Sequence, residues 1–570
     1  MILTEDSIKT FKEQLQQSIL VCSDRCLYQA AKWSAEVLDG IKPTSINNSD
    51  NSYTQSDFTL PCTSTYRTNY EASLGALTEL EYNKYQYAKA LFSIKQFDAV
   101  SFVLDGFEAP KLLFLKLYAQ YLAGEKRQQE HTQEILGESE QTAAENEELD
   151  SVYNELYKRY EEDQLDAFGL YLYGVVLKRR NALQQAVTAL LKSLLKYQFN
   201  WSTWMELATL VFDTVMFENI QALLNRTREF DNSIMKEFFL AKVSLKLYQN
   251  PNPTFRTVMN PINDHFASST YVLSEWATYH YNNKEYNESA ALFEDLRRRN
   301  PYRLEDMDTY SNLLYIQESK VKLCVLTLDC EKIDKFRPET CCVRANYHGV
   351  KGELHESVKY FKKALKLDRN YHQAWTLLGH EYIELKNTKA AVECYRRAIA
   401  MDNQDYRAWH GLGQAYEIMK SSEKALYYYE KAKNLQPNDA RMWLVLQNCY
   451  AALQRNEEAR ECEIEAAACE RKNELLAAIQ LGRTFEKAGK TIEAMENYHM
   501  VWEHTKNNVI TDDVADISLR LAKYFISEGH YNEAEKYVHT GLNAHHPYHE
   551  EARALLNEIH RHRELASVNN

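Results

Sequence analysis

Asn346, His380, Gln414 and Asn448 stand 34 residues apart, and Glu384 and Glu417 follow two of them within four residues. Amides can hydrogen-bond an extended peptide backbone, and carboxylates can pair with its arginines, so this set suits recognition of a short basic peptide. The same residue types also suit a plain solvated face, and the sequence leaves both readings open. Two other groups invite a metal, Cys22 with Cys26, and His545, His546, His549, His560 and His562 near the C-terminus. Zinc sites of ribbon or RING type need paired ligands at short spacing, and none of the eleven cysteines forms a C-x-x-C pair. Reduced, mostly buried thiols are expected, with no metal and no cofactor. The chain contains no phosphate-binding glycine loop, no G-x-S-x-G and no H-E-x-x-H, so no catalytic residue is assigned and enzyme activity is not expected. His280 and His348 read as packed core histidines.

The elements that must position these side chains show in the spacing of Trp375, Trp409 and Trp443, again 34 residues apart. Each opens the same alternation of large and small residues. From a start at 372 the run is Trp375, Leu378, Gly379, Tyr382, Ala391, Tyr395 and Ala398; from 406 it is Trp409, Leu412, Gly413, Tyr416, Ala425, Tyr429 and Ala432. Bulky residues at positions 4, 7, 11 and 24 with small ones at 8, 20 and 27 mark the tetratricopeptide (TPR) repeat, two antiparallel helices in 34 residues. The frame runs unbroken through starts at 270, 304, 338, 372, 406 and 440, and position 8 is small in all but the last, where Gln447 stands. Further starts fall at 475 and 515 downstream and at 167 and 201 upstream, with another helical pair over 83–104. The spacing predicts an all-α fold, a TPR superhelical solenoid of roughly a dozen helix-turn-helix repeats. In such an array positions 2, 5, 9, 12 and 13 of each first helix line a concave groove, which is where Asn346, His380, Glu384, Gln414 and Glu417 fall.

Composition agrees. Sixteen glycines and ten prolines in 570 residues are few for a chain with sheet-type turns. A net charge of −14 argues against a nucleic-acid surface, which needs clustered cations. The runs Arg297-Arg298-Arg299 and Lys178-Arg179-Arg180 read as helix ends or solvated faces. No stretch of 18 apolar residues exists and the N-terminus is amphipathic and charged, so no membrane contact is expected, and a nuclear and cytoplasmic location is. The expected organisation is N-terminal helices and first TPR-like repeats over 1–124 (with a flexible loop at 41–70), an acidic insertion over 125–155, and degenerate repeats serving dimerisation over 156–269. In-register repeats over 270–473, C-terminal repeats over 474–545 and a C-terminal helix and tail over 546–570 complete it.

Several strings lie outside the repeat consensus. Glu339 to Tyr347 (ETCCVRANY), Ala374 to Glu384 (AWTLLGHEYIE), Tyr406 to Glu417 (YRAWHGLGQAYE), Arg303 to Tyr315 (RLEDMDTYSNLLY), Tyr121 to Lys126 (YLAGEK) and Ala30 to Glu36 (AAKWSAE) resemble the subunit eight family of the anaphase-promoting complex, or cyclosome. The resemblance implies a non-catalytic scaffold in a multi-subunit ubiquitin ligase that marks mitotic regulators for destruction. It further implies a homodimer joined through its N-terminal repeats, other TPR and scaffold subunits as partners, and a groove for the arginine-bearing C-box of an activating subunit. On that likeness Asn346 is the first groove contact, followed by Glu384, Gln414 and Glu417, and Asn346→Ala combined with Glu384→Lys should weaken activator binding while sparing stability. Arg344, at a position usually apolar, and Gln447 depart from the pattern and put local packing in doubt. The competing reading is a free-standing TPR adaptor for a chaperone or transport receptor, which would need a cationic clamp. Cys342, Thr376 and His410 occupy the clamp positions instead. An enzyme with a TPR arm would need a catalytic domain, and no long stretch escapes the helical pattern.

Overall fold

The computed structural model describes residues 5–41, 77–131, 146–231, 233–247, 253–487, 491–505, 512–542 and 548–568. Among them the regular elements are α-helices, with one 3-10 turn at Arg228–Phe230. The loop expected at 41–70, the centre of the acidic stretch, Cys62, His545 and His546 lie outside the described residues, apart from Ile41. Two compact units form, Met1–Gln436 and Pro437–Asn570, and the division falls between the 406 and 440 repeats.

Each repeat is built from local sequence logic. In the 372 repeat His372–Glu384 is followed by Thr388–Met401, and in the 406 repeat Tyr406–Ile418 is followed by Ser422–Leu435. The tryptophans at position 4 staple the loop that enters the repeat. Trp204, Trp375, Trp409 and Trp443 each donate the indole N–H to the carbonyl six residues earlier, at 2.8–2.9 Å. Position 8 is where the two helices touch. A Cβ at Gly413 would lie 2.5 Å from Tyr429 Cε1, and one at Gly379 equally close to Tyr395. Where position 8 is Ala277 or Ala345, position 24 is Phe293 or Phe361, rings buried without a hydroxyl to place. The tyrosine hydroxyls do find partners: Tyr429 donates to Glu417 at 2.7 Å and Tyr498, in the second unit, to Glu486 at 3.1 Å.

The turn between the two helices follows one rule that the sequence hides. Position 15 is left-handed in every in-register repeat: Lys284, Glu318, Gly352, Lys386, Lys420 and Gln454 have φ between 50° and 80°. The next N–H then reaches the carbonyl of position 11, as in Asn387 to Tyr382 (2.8 Å) and Ser421 to Tyr416 (2.9 Å), closing the helix end. Glycine is the usual residue for this geometry, yet it appears once in the six.

Two expectations need correction. Arg344 is half-buried and does not sit in the core; its guanidinium pairs with Glu331 and lies 4.3 Å from the Tyr360 ring centroid. His280 and His348 are only partly buried, and each bonds through Nδ1 to a glutamate five residues on, Glu285 and Glu353. Across the boundary expected at 473 one helix runs over Asn456–Lys487. The flanks of the acidic stretch are structured: Glu125 pairs with Arg179 and Glu148 with Arg127, at 2.8 and 2.9 Å. Both basic runs end helices, and their members pair with acids, Arg297 with Asp329 at 2.6 Å and Lys178 with Glu206 at 2.8 Å.

Within the first unit the array curls until Gln404 Nε2 bonds the Phe212 carbonyl, 192 residues back. Two glycine substitutions separate packing from backbone strain. Gly413→Leu should lower stability by about 1–3 kcal/mol or more through overpacking. Gly352→Ala, with open space around it and φ of +80°, should lose about 1 kcal/mol from its backbone alone. Urea midpoints of the purified variants measure both.

Candidate functional site

The first helices of the 304, 338, 372 and 406 repeats, Met307–Ile316, Pro338–Val350, His372–Glu384 and Tyr406–Ile418, carry the candidate groove. Asn346 is 2% exposed, and its Nδ2 donates to Ser311 Oγ at 2.8 Å and to Asn312 Oδ1 at 2.7 Å. Its amide thus bridges two repeats, and the side chain is a packing residue as much as a groove residue. The expectation that replacing it would spare stability does not hold, since Ser311 and Asn312 would lose a buried partner. His380 is partly buried and shares its Nδ1 with the Tyr395 hydroxyl at 2.8 Å. Burial, with Arg407 adding its field, pushes the imidazole down to about 4, so it is neutral near pH 7. Glu384, Gln414 and Glu417 are exposed. Glu417 is held by Tyr429, and Glu384 and Gln414 stand open. The spacing of 34 therefore places Asn346, His380 and Gln414 on equivalent helices, but only Gln414 among the three reaches solvent freely.

The same face holds a carboxylate that the periodic reading passed over. Glu381 is 6% exposed, and its Oε2 is buried with no hydrogen-bond partner. It is lodged against Gly349, where a Cβ would lie 2.9 Å from Glu381 Oε1 and 3.1 Å from Tyr315 Cε2. Burial, partly countered by the Ser357 hydroxyl and reinforced by Glu384, raises its carboxyl to about 7. The fields of Glu381 and Glu384, after burial, also raise the Tyr315 phenol. Tyr315, Gly349, Glu381 and Glu384 thus form one small acidic place with an aromatic wall. Gly349, the second-last residue of Pro338–Val350, was the available signal, since its absent side chain leaves the space that Glu381 Oε1 fills.

Upstream, the seam stays polar and buried. Asp308 accepts from the Tyr371 hydroxyl at 2.5 Å, and burial raises its carboxyl to about 6. Thr376 donates to Asp405 Oδ2 at 2.9 Å, and Asp405 also holds Arg407 at 2.9 Å. Burial raises the Cys22 thiol to about 11, with Ser18 beside it, which keeps it protonated and unlike a metal thiolate. His280, Glu285 and Glu288 have ligand atoms within 4.8 Å of one another. The His280–Glu285 contact repeats the His348–Glu353 pair, so it serves the turn.

The raised Glu381 carboxyl sets a pH dependence. An acid whose folded pKa is about 7 against an ordinary 4.5 costs the folded state nothing below about pH 4.5. It destabilises progressively as pH rises to about 7. Glu381→Gln should match the parent at pH 4.5 and exceed it at pH 8 by about 1–3 kcal/mol. Urea titrations at the two pH values test this; equal stability at pH 8 would show that the carboxylate is not buried against its charge.

A family model described as "Anaphase promoting complex subunit 8 / Cdc23" matches residues 10–277. TPR models match 338–371 and 406–439 and 379–419. The chain is 35% identical over 394 residues to "Anaphase-promoting complex subunit 8" of Arabidopsis thaliana, spanning 66% of each. With "Anaphase-promoting complex subunit CDC23" of Saccharomyces cerevisiae it shares 31% over 445 residues, 68% of this chain and 71% of that one. The matched stretch is thus about two thirds of the length of these relatives. A solved structure titled "Crystal structure of APC/C hetero-tetramer Cut9-Hcn1" is less similar, at 16% identity and a TM-score of 0.46, over 86% of this chain and 98% of that one. On the curated relatives and on the repeats just described, the chain belongs to the anaphase-promoting complex subunit 8 / Cdc23 family.

Proposed function

We propose that this chain is a non-catalytic scaffold of the anaphase-promoting complex ubiquitin ligase, acting in nucleus and cytoplasm, and that its concave face docks the arginine-bearing C-box peptide of an activating subunit. The Glu381 carboxyl, whose buried Oε2 has no hydrogen-bond partner, carries this reading. A guanidinium approaching the exposed Glu384 would meet it and Glu381 as charge-assisted acceptors and could lie over the Tyr315 ring. It would also draw the Glu381 proton off, turning a folding penalty into binding energy. Cys342, Thr376 and His410 stand at the clamp positions, and Arg407, on the same helix as His410, is committed to Asp405, which disfavours an adaptor that grips a terminal carboxylate.

A homodimer contact fits the helices over 79–103, N-terminal to the 156–269 segment expected to serve dimerisation. Leu80, Tyr87 and Ile94 recur every seven residues along and just past Glu79–Ser93, and they are 62, 56 and 64% exposed, with Phe102 at 84%. Such an apolar stripe suits an isologous contact between two copies.

Two measurements test these readings. Fluorescence polarisation with a labelled C-box peptide should show Glu381→Ala weakening binding by about 1.5–3 kcal/mol, and an Arg→Ala change in the peptide should weaken it as much but not add to Glu381→Ala. Equal binding by Glu381→Ala moves the docking site elsewhere. In sedimentation equilibrium at micromolar concentration the parent should be a dimer and Ile94→Asp/Phe102→Asp a monomer; a monomeric parent removes the dimer.

A further inference from the structure

The amino-terminal hairpin is not one of the stacked repeats. Its helices, α1 (Glu5–Asp24) and α2 (Tyr28–Asp39), fold on each other. The second then lies across the first helices Trp201–Leu210 and Thr270–Asn282 of separate repeats. Trp33 stacks on Trp201 with ring centroids 4.0 Å and planes 9° apart, and meets Phe238 and Tyr271 edge to face at 5.4 and 5.7 Å. Polar contacts surround these rings. Ser18 Oγ donates to the Phe199 carbonyl at 2.8 Å, Thr270 Oγ1 to Glu36 at 2.7 Å, and Ser268 Oγ to the Gly40 carbonyl at 2.9 Å. Arg303 pairs with Glu36, and Lys32 with Glu305 at 2.6 Å. At Gly40 the two backbones meet so closely that a Cβ would lie 2.2 Å from Ser269 Cβ.

The residues touched, Trp201, Phe238, Tyr271 and Glu305, belong to the entries of successive first helices. These helices carry the concave face, which further along holds Glu381. An aromatic centre inside a ring of ionic and hydrogen-bonded contacts is the anatomy of a binding interface. We propose that the α1–α2 hairpin is a built-in ligand: it fills the upstream concave face in cis, as a surface made for an amphipathic helical hairpin, and confines external peptides to the repeats from 304 onward. Covalent attachment gives the hairpin a high effective concentration there, so a free helical partner does not displace it. Glu305 marks the boundary. It accepts from Lys32 at 2.6 Å and from Arg337 at 2.9 Å, and against the opposing effect of burial these cations hold its carboxyl at about 2. Downstream, Glu381 has no such cation. The proposal stands whatever ligand Glu381 takes.

The test uses the full chain with a protease site inserted after Ile41. After cleavage, the hairpin should co-elute with the solenoid at micromolar concentration and exchange with a labelled peptide of residues 1–41. In that peptide Trp33→Ala or Gly40→Leu should weaken binding at least tenfold. A hairpin that elutes free, or a Trp33→Ala peptide that binds as well as the parent sequence, overturns the proposal. Hydrogen exchange on the uncut Gly40→Leu chain gives an independent reading should the cut chain unfold. Amides of 28–39 should exchange at least tenfold faster while those of 372–418 stay unchanged. Joint acceleration of both segments would make the hairpin an inseparable part of the core and defeat the idea.

Discussion

The structure depends on how closely the two helices of a repeat can approach at position 8. Gly379 faces Tyr395 and Gly413 faces Tyr429, each with a gap too small for a Cβ. A second glycine, Gly411, closes on Tyr395 from the next repeat, where a Cβ would lie 2.4 Å from its Cζ. One tyrosine ring therefore fixes both the pairing within a repeat and the stacking between repeats. Burying such a ring contributes a few kcal/mol of hydrophobic free energy, but its hydroxyl must also be satisfied. That requirement recruits His380 and Glu417 from the first helix, so packing decides which groove residues are already committed.

The concave face is consequently a mixture of structural and available polar groups. Asn346, Asp308, Thr376 and Asp405 tie neighbouring first helices together and fix the pitch of the array. Glu381 differs from them in having a buried oxygen without a partner. The neighbouring Glu384 and the tyrosine wall would suit the guanidinium of the proposed peptide. On the proposed reading stability and recognition would be coupled there, because the ionised carboxylate disfavours the free fold and would favour a cationic ligand.

The N-terminal part solves a different problem with aromatic mass. Trp33, Trp201, Phe238, Phe266 and Tyr271 join one core, in which a hairpin from the chain's beginning covers helices from far along it. The in-register repeats instead rely on nearest neighbours, as in any solenoid. The family model matches the first part and the repeat models match the second.

Periodic facts were legible in the chain because they arise from contacts at fixed sequence separation. The 34-residue frame, the position 8 glycines opposite position 24 tyrosines and the tryptophans at position 4 all follow from that. The turn rule was not, since lysine, glutamate and glutamine take the left-handed position where glycine is the usual cue. Nor was the continuous helix through 473, where the repeat pattern restarts without any residue that breaks a helix. Sequence spacing made Asn346 and Gln414 equivalent, yet one is buried and the other exposed, because Ser311 and Asn312 happen to face the first. Nothing in the 34-residue period singles out Glu381, and only Gly349 and Tyr315 from other repeats reveal its buried setting. The docking of Gly40 on Ser269 and of Gln404 on Phe212 likewise joins distant segments. The sequence alone determined the repeat, its period and its core; the tertiary structure decided which polar side chains remain available, because burial is set by what neighbouring repeats bring.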